Sequence, residues 1–263
     1  MSHDWKPARD VLDRAHAEGR TVEVWLRDDD CVAVTPALER LAALCGAAAL
    51  PVLLAVIPAE AAPDLVPWIA GHPAITPCQH GYAHADHAPP GERARELGGR
   101  PVGTVLAELA RGRARLRGLF GPALSDILVP PWNRLDADLV PHLPAAGYAA
   151  LSAFGPTPAD SPIPRLDADL DIIDWRRGRI GRPPDELARK LAAIVARQDR
   201  LGLLTHHLAH DAAAWAGLEA LLENLAGHPA VRFTDTAELL PAHPDGTPGA
   251  QGPGSAPLSA AAS

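Results

Sequence analysis

The sequence predicts a parallel α/β fold and, within that class, a (β/α) barrel of up to eight strands. Eight short apolar runs alternate with longer amphipathic segments between residues 22 and 240. The runs are nearly continuous in apolar residues, which is typical of parallel strands buried on both faces. Alternation of this length favours a barrel, and an open doubly wound sheet is the alternative.

The elements follow one another in a regular order. The strand candidates cover residues 22–26, 52–57, 75–78, 127–129, 149–152, 170–173, 201–205 and 231–234. The helix candidates cover residues 37–45, 63–69, 102–119, 136–145, 185–196 and 213–226, with a short last helix near 235–240. Thr35 and Pro36 open the first of these helices as its N-cap and first-turn residues. No glycine-rich phosphate loop follows any strand, which argues against nucleotide binding.

The length of 263 residues is enough for a full-sized core. We expect one domain over residues 1–242, because the alternation continues without a linker. Residues 243–263 are rich in Pro, Gly, Ala and Ser, and we expect them to be disordered. The net charge of −8 argues against nucleic acid as a partner. The basic stretch at 111–117 is interpreted as the solvated face of a helix.

Cysteine usage and hydropathy suggest a compartment. Cys31, Cys45 and Cys78 are an odd number without a CxxC pair, which predicts buried free thiols. The polar N-terminus has no signal-peptide core. No apolar stretch reaches the roughly 20 residues that cross a membrane. We therefore expect a cytoplasmic protein with no membrane partner, and the sequence does not predict an oligomeric state.

Polar clusters stand where the predicted strands end. Asp28, Asp29 and Asp30 follow the first strand, and His80 and His84 follow the third. One carboxylate with two histidines commonly holds a divalent metal while leaving a position open for water. Because the chemistry of a parallel barrel gathers at the C-terminal ends of its strands, these groups are expected to meet. Further clusters follow later strands, at residues 130–134, Asp171, Asp174, Trp175, His206, His207, His210 and Asp211.

In order and spacing, these motifs resemble those of the polysaccharide deacetylase family, also called the chitooligosaccharide deacetylase homology domain. The corresponding segments are residues 27–30, 80–84, 129–132, 171–175 and 203–207. Together they cover roughly residues 20 to 240. The resemblance implies a distorted (β/α) barrel with seven or eight parallel strands.

The resemblance also implies roles. One aspartate is the general base, and a second joins two histidines on a divalent metal, usually zinc. Two registers fit the triplet: Asp29 as base with Asp30 as ligand, which we prefer, or Asp28 as base with Asp29 as ligand. A late histidine protonates the leaving nitrogen, and His206 aligns with it better than the alternate His207.

His80 and His84 are the implied metal ligands in both registers, and His87 is an alternate. The substrate-binding side chains implied by the later motifs are Trp132, Asn133, Arg134 and Trp175.

The chain departs from the family pattern at two positions. The glycine that usually follows the aspartate pair is replaced by Asp30 or Cys31. The arginine that helps to set the base is replaced by Val129, and either Arg27 or Arg134 is a substitute. A carboxylate near the acid histidine is also expected, supplied by Asp171 or Asp174.

The function expected from the sequence is a metal-dependent hydrolase, with zinc as its cofactor. It removes an acyl group, in the first instance N-acetyl, from a small or intracellular substrate that resembles a sugar. A polymeric cell-wall substrate is not expected without a secretion signal. The alternatives are a hydrolase of a non-sugar amide or ureido compound, and a non-catalytic binding barrel.

Overall fold

A computed structural model describes residues 4–155 and 161–240. Its helices are α1 (Lys6–Ala17), α2 (Pro36–Ala47), α3 (Leu65–Ala70), α4 (Val102–Phe120), α5 (Pro184–Val195) and α6 (Ala212–Leu225). Its strands are β1 (Val22–Cys31), β2 (Val52–Val56), β3 (Ile75–His80), β4 (Ile127–Val129), β5 (Ala150–Leu151), β6 (Leu170–Asp171), β7 (Ile173–Asp174), β8 (Ile180–Gly181), β9 (Arg200–Thr205) and β10 (Val231–Phe233).

The main sheet is parallel and runs in the order β5-β4-β3-β2-β1-β9-β6. The early part of β1 pairs with β10 and its later part with β2, while β9 pairs along the other edge. The chain before β6 then brings the two ends of the sheet together. The backbone N–H of Leu166 donates to the carbonyl of Leu151 at 3.0 Å, and that of Asp169 donates to the carbonyl of Gly202 at 2.8 Å. The predicted distorted (β/α) barrel is thereby confirmed.

Apolar side chains fill both faces of the sheet, as the continuous apolar runs predict. Leu26, Leu54 and Leu203 pack against the helices on the outer face. Trp25 and Leu204 belong to a second cluster, which lies inside the barrel.

Four features differ from the sequence-based prediction. Helix α1 was not predicted, although its buried residues Ala8, Val11, Leu12 and Ala15 have helical spacing. Residues 137–142 form a 3₁₀ segment that contains Pro141, where a longer helix was predicted. Residues 236–239 form a turn where a short helix was predicted near 235–240. The predicted strand at 170–173 divides into β6 and β7, and β7 pairs antiparallel with β8.

The remaining sequence-based expectations have varied outcomes. The three cysteines are buried and free, as predicted. The basic face of α4 is only partly solvated, because Arg113 and Arg117 both bind Asp126 and Arg115 donates to the carbonyl of Pro58. Among the described residues, no helix is both long and apolar enough to cross a bilayer. The predicted tail at 243–263 lies outside the described residues, so its disorder stays a prediction.

Candidate active site

The alternation of side chains along β1 determines which of its polar residues meet. Trp25 packs inside the barrel and Leu26 packs against the helices. Because successive side chains of a strand point to opposite faces, Arg27 and Asp29 share the inner side with Trp25, and Asp28 points outward. The aspartate triplet therefore lies within the strand rather than after it.

Asp30 leaves this alternation because β1 is irregular here. The pairing register between β1 and β2 shifts between Asp28 and Cys31. Asp30 itself has a φ of 69°, in the left-handed region that non-glycine residues adopt uncommonly. The change of direction brings its carboxylate to His80, the last residue of β3.

Three side chains that could hold a metal ion converge at this point. Oδ1 of Asp30 lies 3.0 Å from Nε2 of His80 and 3.2 Å from Nε2 of His84. The ligand atoms of all three residues lie within 4.8 Å of one another, and no other group of three within 4–155 and 161–240 meets that condition. Two imidazoles and one carboxylate are a donor set for a divalent transition metal.

The backbone fixes the tautomer of His80. Its Nδ1 lies 3.1 Å from the carbonyl oxygen of Val129, which can only accept, so Nδ1 carries the hydrogen. A neutral ring then directs the lone pair of Nε2 at the carboxylate of Asp30. Two lone pairs at this distance repel each other unless a positive charge lies between them. A bound cation satisfies that requirement, and so does a proton.

The pKa values of the group follow from the same contacts. Burial opposes the charge on Asp30, but its hydrogen bonds to His80 and His84 outweigh burial and hold its pKa well below the usual range. Burial also opposes the charge on His84, and the hydrogen bond to Asp30 outweighs it, so the pKa of His84 is raised. The cluster therefore keeps an anionic carboxylate in place for a cation.

A second group of contacts surrounds Asp29. The Arg27 guanidinium donates to both carboxylate oxygens of Asp29, from Nε at 2.8 Å and from Nη2 at 3.0 Å. Nη1 donates to Ser152 Oγ at 2.7 Å and to the Ala153 carbonyl at 2.9 Å, and Nη2 also donates to the amide oxygen of Asn133. All five N–H groups of this fully buried arginine are thus used. The carboxylate of Asp29 has one fixed orientation as a result.

His206 lies beside Asp29. Its Nε2 is 3.8 Å from Oδ2 of Asp29, too far for a hydrogen bond. The ring of Trp175 contacts it edge-on, with centroids 4.7 Å apart, and Trp175 Nε1 donates to Asp171 at 2.7 Å. Burial raises the pKa of Asp171, and the charge of His206 opposes that rise. Of the two carboxylates predicted near His206, Asp171 is the one connected to it, through the Trp175 ring.

His207 forms a separate pair on the outer side of the sheet. Its Nδ1 contacts Oδ1 of Asp28, and its backbone N–H donates to Oδ2 at 3.0 Å. Thr205 Oγ1 donates to the same carboxylate at 2.7 Å. Burial disfavours both charges, yet their attraction lowers the pKa of Asp28 and raises that of His207. The structure therefore associates Asp28 with His207 and Asp29 with His206.

The three residues at 132–134, which follow β4, point in different directions. The ring of Trp132 packs against the ring of His84, with centroids 4.2 Å apart. Asn133 points inward, toward the guanidinium described above. Arg134 points elsewhere, since its Nη1 donates to the carbonyl of Ala94 at 2.9 Å. Burial lowers the pKa of Arg134.

Two predicted alternates have other partners. Asp174 pairs with Arg182 at 3.2 Å. His87 is outside the three-ligand group, and its backbone N–H donates to the carbonyl of Arg95 at 3.0 Å.

Glu96 was not predicted from the sequence, and it binds the backbone of the turn that precedes His84. It is 1% exposed, and its carboxylate accepts the backbone N–H of Ala83 at 2.7 Å and that of Tyr82 at 3.0 Å. Gly81, at a φ of 52°, lets the turn lie this close, because a Cβ there would collide with the Glu96 carboxylate. Glu96 therefore sets the turn that carries His84. Its loop has no periodicity or motif that identifies it in the sequence.

Comparisons with known proteins identify solved structures with the same fold. No family model matches the sequence, and no curated protein is significantly similar to it. Solved structures, however, match its fold. One is a family 4 carbohydrate esterase from Streptomyces lividans in complex with acetate, with 17% identity, a TM-score of 0.55, and 80% of this chain and 90% of that chain covered.

Two further structures have the same fold. A peptidoglycan N-acetylglucosamine deacetylase is 15% identical, with a TM-score of 0.58 and coverage of 84% of this chain and 88% of that chain. A family 4 acetyl xylan esterase from Clostridium thermocellum, in complex with a cobalt ion, is 12% identical, with a TM-score of 0.56 and coverage of 82% and 89%. The chain has the fold of these deacetylases and esterases, as the motifs predicted.

Proposed function

We propose that the chain is a metal-dependent hydrolase that removes an acyl group, in the first instance N-acetyl, from a small or saccharide substrate. The observation that supports this proposal is that a possible metal site lies beside a possible acid–base pair. The Asp30, His80 and His84 cluster lies beside the Asp29 and His206 pair. Both lie at the C-terminal ends of the barrel strands, where such folds carry out their chemistry.

Asp30, His80 and His84 would hold the metal. Zinc is the ion that we propose, because two histidines and a carboxylate form one of its catalytic donor sets. The cobalt ion in the esterase of Clostridium thermocellum supports a metal in this fold. When bound, the ion would polarise the acyl carbonyl and bring the pKa of a water molecule down to about 7.

The division of labour follows from the two sides of β1. We assign Asp29 as the general base, because the Arg27 guanidinium orients its carboxylate inside the barrel. We assign His206 as the general acid, because its Nε2 lies near Asp29 and is not hydrogen-bonded to that carboxylate. A proton on Nε2 is therefore free to pass to the leaving nitrogen. Asp29 takes the proton of the attacking water, and His206 gives a proton to the leaving nitrogen.

The substrate class is inferred from the walls of the site. Trp132 lies against His84, and Trp175 lies against His206, so an aromatic ring borders each half of the site. Apolar and aromatic walls with a few convergent polar groups are typical of small-molecule sites. The neighbours named for N-acetylglucosamine and acetyl xylan support an acetylated saccharide.

We expect one equivalent of divalent metal per chain, and His80→Ala or His84→Ala should remove it and abolish turnover. Each replacement takes away one of three ligands, and no other group of three within the described residues replaces them. Metal content by mass spectrometry and hydrolysis of a panel of N-acetylated sugars and non-sugar amides measure the two effects.

The control is His142→Ala, which removes an exposed histidine outside the cluster. A wild-type protein without tight metal, or a His84→Ala variant with full metal and turnover, would contradict the proposal. Turnover of only the non-sugar amides would favour the alternative substrate class.

Glu96→Gln should weaken metal binding by about 10–100-fold, the range seen when a partner of a metal ligand is changed. Glutamine has one acceptor oxygen, so its amide N–H₂ would face one of the two backbone N–H groups before His84. The dissociation constant, measured by competition with a chromogenic chelator, gives the effect.

Glu92→Gln is the matched control, since Glu92 lies in the same loop and pairs with Arg95 at the surface. Equal constants for the wild type and Glu96→Gln would show that Glu96 does not position His84.

A further inference from the structure

An arginine-rich hairpin adjoins the His206 side of the site, where its Trp175 contacts His206. Strands β7 and β8 pair antiparallel, while every pairing in the main sheet is parallel. The six residues at 175–180 are all exposed, and three of them are Arg176, Arg177 and Arg179. These three cations follow one another around Trp175, whose ring contacts His206.

The base of the hairpin is firmly anchored. The backbone N–H of Arg182 donates to the carbonyl of Ile172 at 2.8 Å, and its guanidinium pairs with Glu186 and Asp174. The N–H of Gly181 donates to Asp211 at 3.1 Å. These contacts hold the base, so the exposed residues project from a fixed position.

The hairpin is connected to the candidate acid through one aromatic ring. Trp175 Nε1 donates to Asp171, which fixes the indole, and the ring contacts His206. The Arg179 guanidinium carbon lies 5.3 Å from the Trp175 centroid. The Trp175 ring therefore lies between the positive charge of Arg179 and His206, the proposed proton donor to the leaving nitrogen.

The protein neutralises the charges of the hairpin only in part. Within the described residues, no carboxylate lies within 4.0 Å of the Arg176 or Arg179 guanidinium. Arg177 lies 3.6 Å from Asp174 and 3.8 Å from Glu186, and it is 71% exposed. The carboxylate of Asp174 is already paired with Arg182. Exposed ion pairs of this kind contribute little, so the donors remain available to a ligand.

We propose that the substrate carries an anionic group, a carboxylate or a phosphate, which Arg176 and Arg179 bind beside Trp175. Guanidinium groups bind both anions with paired hydrogen bonds, and a stacked arginine retains the N–H groups at its edge. This inference rests on the proposed function, since it places the acyl nitrogen at His206. It adds the chemical class of the substrate to that function.

A matched set of N-acetyl sugars tests the proposal. We compare N-acetylglucosamine, the same sugar phosphorylated at its primary hydroxyl, and N-acetylmuramic acid, which carries a carboxylate. The wild type should favour an anionic sugar by about tenfold or more in kcat/KM, through a lower KM. In the double variant Arg176→Ser/Arg179→Ser, the preference should disappear while kcat for the neutral sugar is unchanged. The two anionic sugars distinguish phosphate from carboxylate.

Arg189→Ser is the matched control, because Arg189 is an exposed arginine paired with Asp185 on α5. It should keep the preference of the wild type. Equal kcat/KM values for neutral and anionic sugars in the wild type would overturn the proposal. A preference that survives in the double variant would overturn it as well.

A second measurement does not depend on hydrolysis. In protein with isotope-labelled tryptophan, the indole N–H signal of Trp175, identified by its loss in Trp175→Phe, should shift saturably with inorganic phosphate. The shift should be absent in the double variant and present in Arg189→Ser. A saturable shift without hydrolysis of any sugar overturns the proposed function and supports the anion site. Hydrolysis without a shift overturns the anion site alone.

Discussion

Asp29→Asn is expected to lower kcat by roughly 10²–10⁴-fold while the metal content stays at the wild-type level. The asparagine amide cannot take a proton, but it has nearly the shape of the carboxylate and still offers one acceptor to the Arg27 guanidinium. The measurements are the kcat of metal-saturated enzyme and the metal content of the same preparation.

The neighbouring aspartates are the controls for this result. Asp30→Asn should lower metal occupancy, because Asp30 is in the three-ligand group. Asp28→Asn should lower stability and keep both metal and catalysis, because Asp28 pairs with His207 on the outer side of the sheet. If Asp29→Asn loses the metal and Asp28→Asn keeps it but stops turnover, the other register of the triplet is the correct one.

The two histidines after β9 extend the same test. His206→Ala should lower kcat by a factor similar to that of Asp29→Asn, since the two groups act on the same reaction. His207→Ala should act on stability, because it leaves the buried carboxylate of Asp28 without its main partner. If His207→Ala abolishes turnover and His206→Ala does not, the acid is wrongly assigned and the hydrolase proposal stands.

The sequence was sufficient for the barrel because its strands are buried on both faces. Short, almost continuous apolar runs such as those of β2 and β9 are typical of parallel strands covered on both faces. The hairpin was not predictable in the same way. The apolar run before Asp174 reads as one strand, and the turn to antiparallel pairing depends on the contacts that anchor Arg182.

The candidate site was predictable in its residue types and not in its register. Two adjacent aspartates on a regular strand face opposite sides, so the sequence leaves open which of them meets the histidines. The irregularity at Asp30 decides this, and it depends on the pairing of β1 with β2. Arg27 and Asp29, two residues apart on one strand, share a face. That spacing indicates Arg27, rather than Arg134, as the arginine that replaces the family's own.

Arg27→Met is expected to cause the largest loss of stability among the variants considered, about 3–5 kcal/mol in the free energy of unfolding. Removing one partner of a buried ion pair leaves the other charge unpaired. Here Asp29 loses its two guanidinium donors, and the acceptors at Ser152, Ala153 and Asn133 lose theirs as well. The same change should lower kcat, because the carboxylate of Asp29 loses its fixed orientation. Urea unfolding and steady-state kinetics measure the two effects.

Arg27→Lys keeps the charge and separates orientation from electrostatics. An ammonium has three donors and no planar fork, so it cannot serve Asp29, Ser152, Ala153 and Asn133 together. We expect this variant to fold and to bind metal normally, and we expect its kcat to stay below that of the wild type.

In the Asp29→Asn background, Arg27→Met should cost less stability than in the wild type, because the unpaired charge is absent. Arg134→Met is the control, since Arg134 donates to the Ala94 carbonyl and to no carboxylate of the site. If Arg134→Met lowers kcat more than Arg27→Lys does, the arginine on β1 is not the one that sets the base.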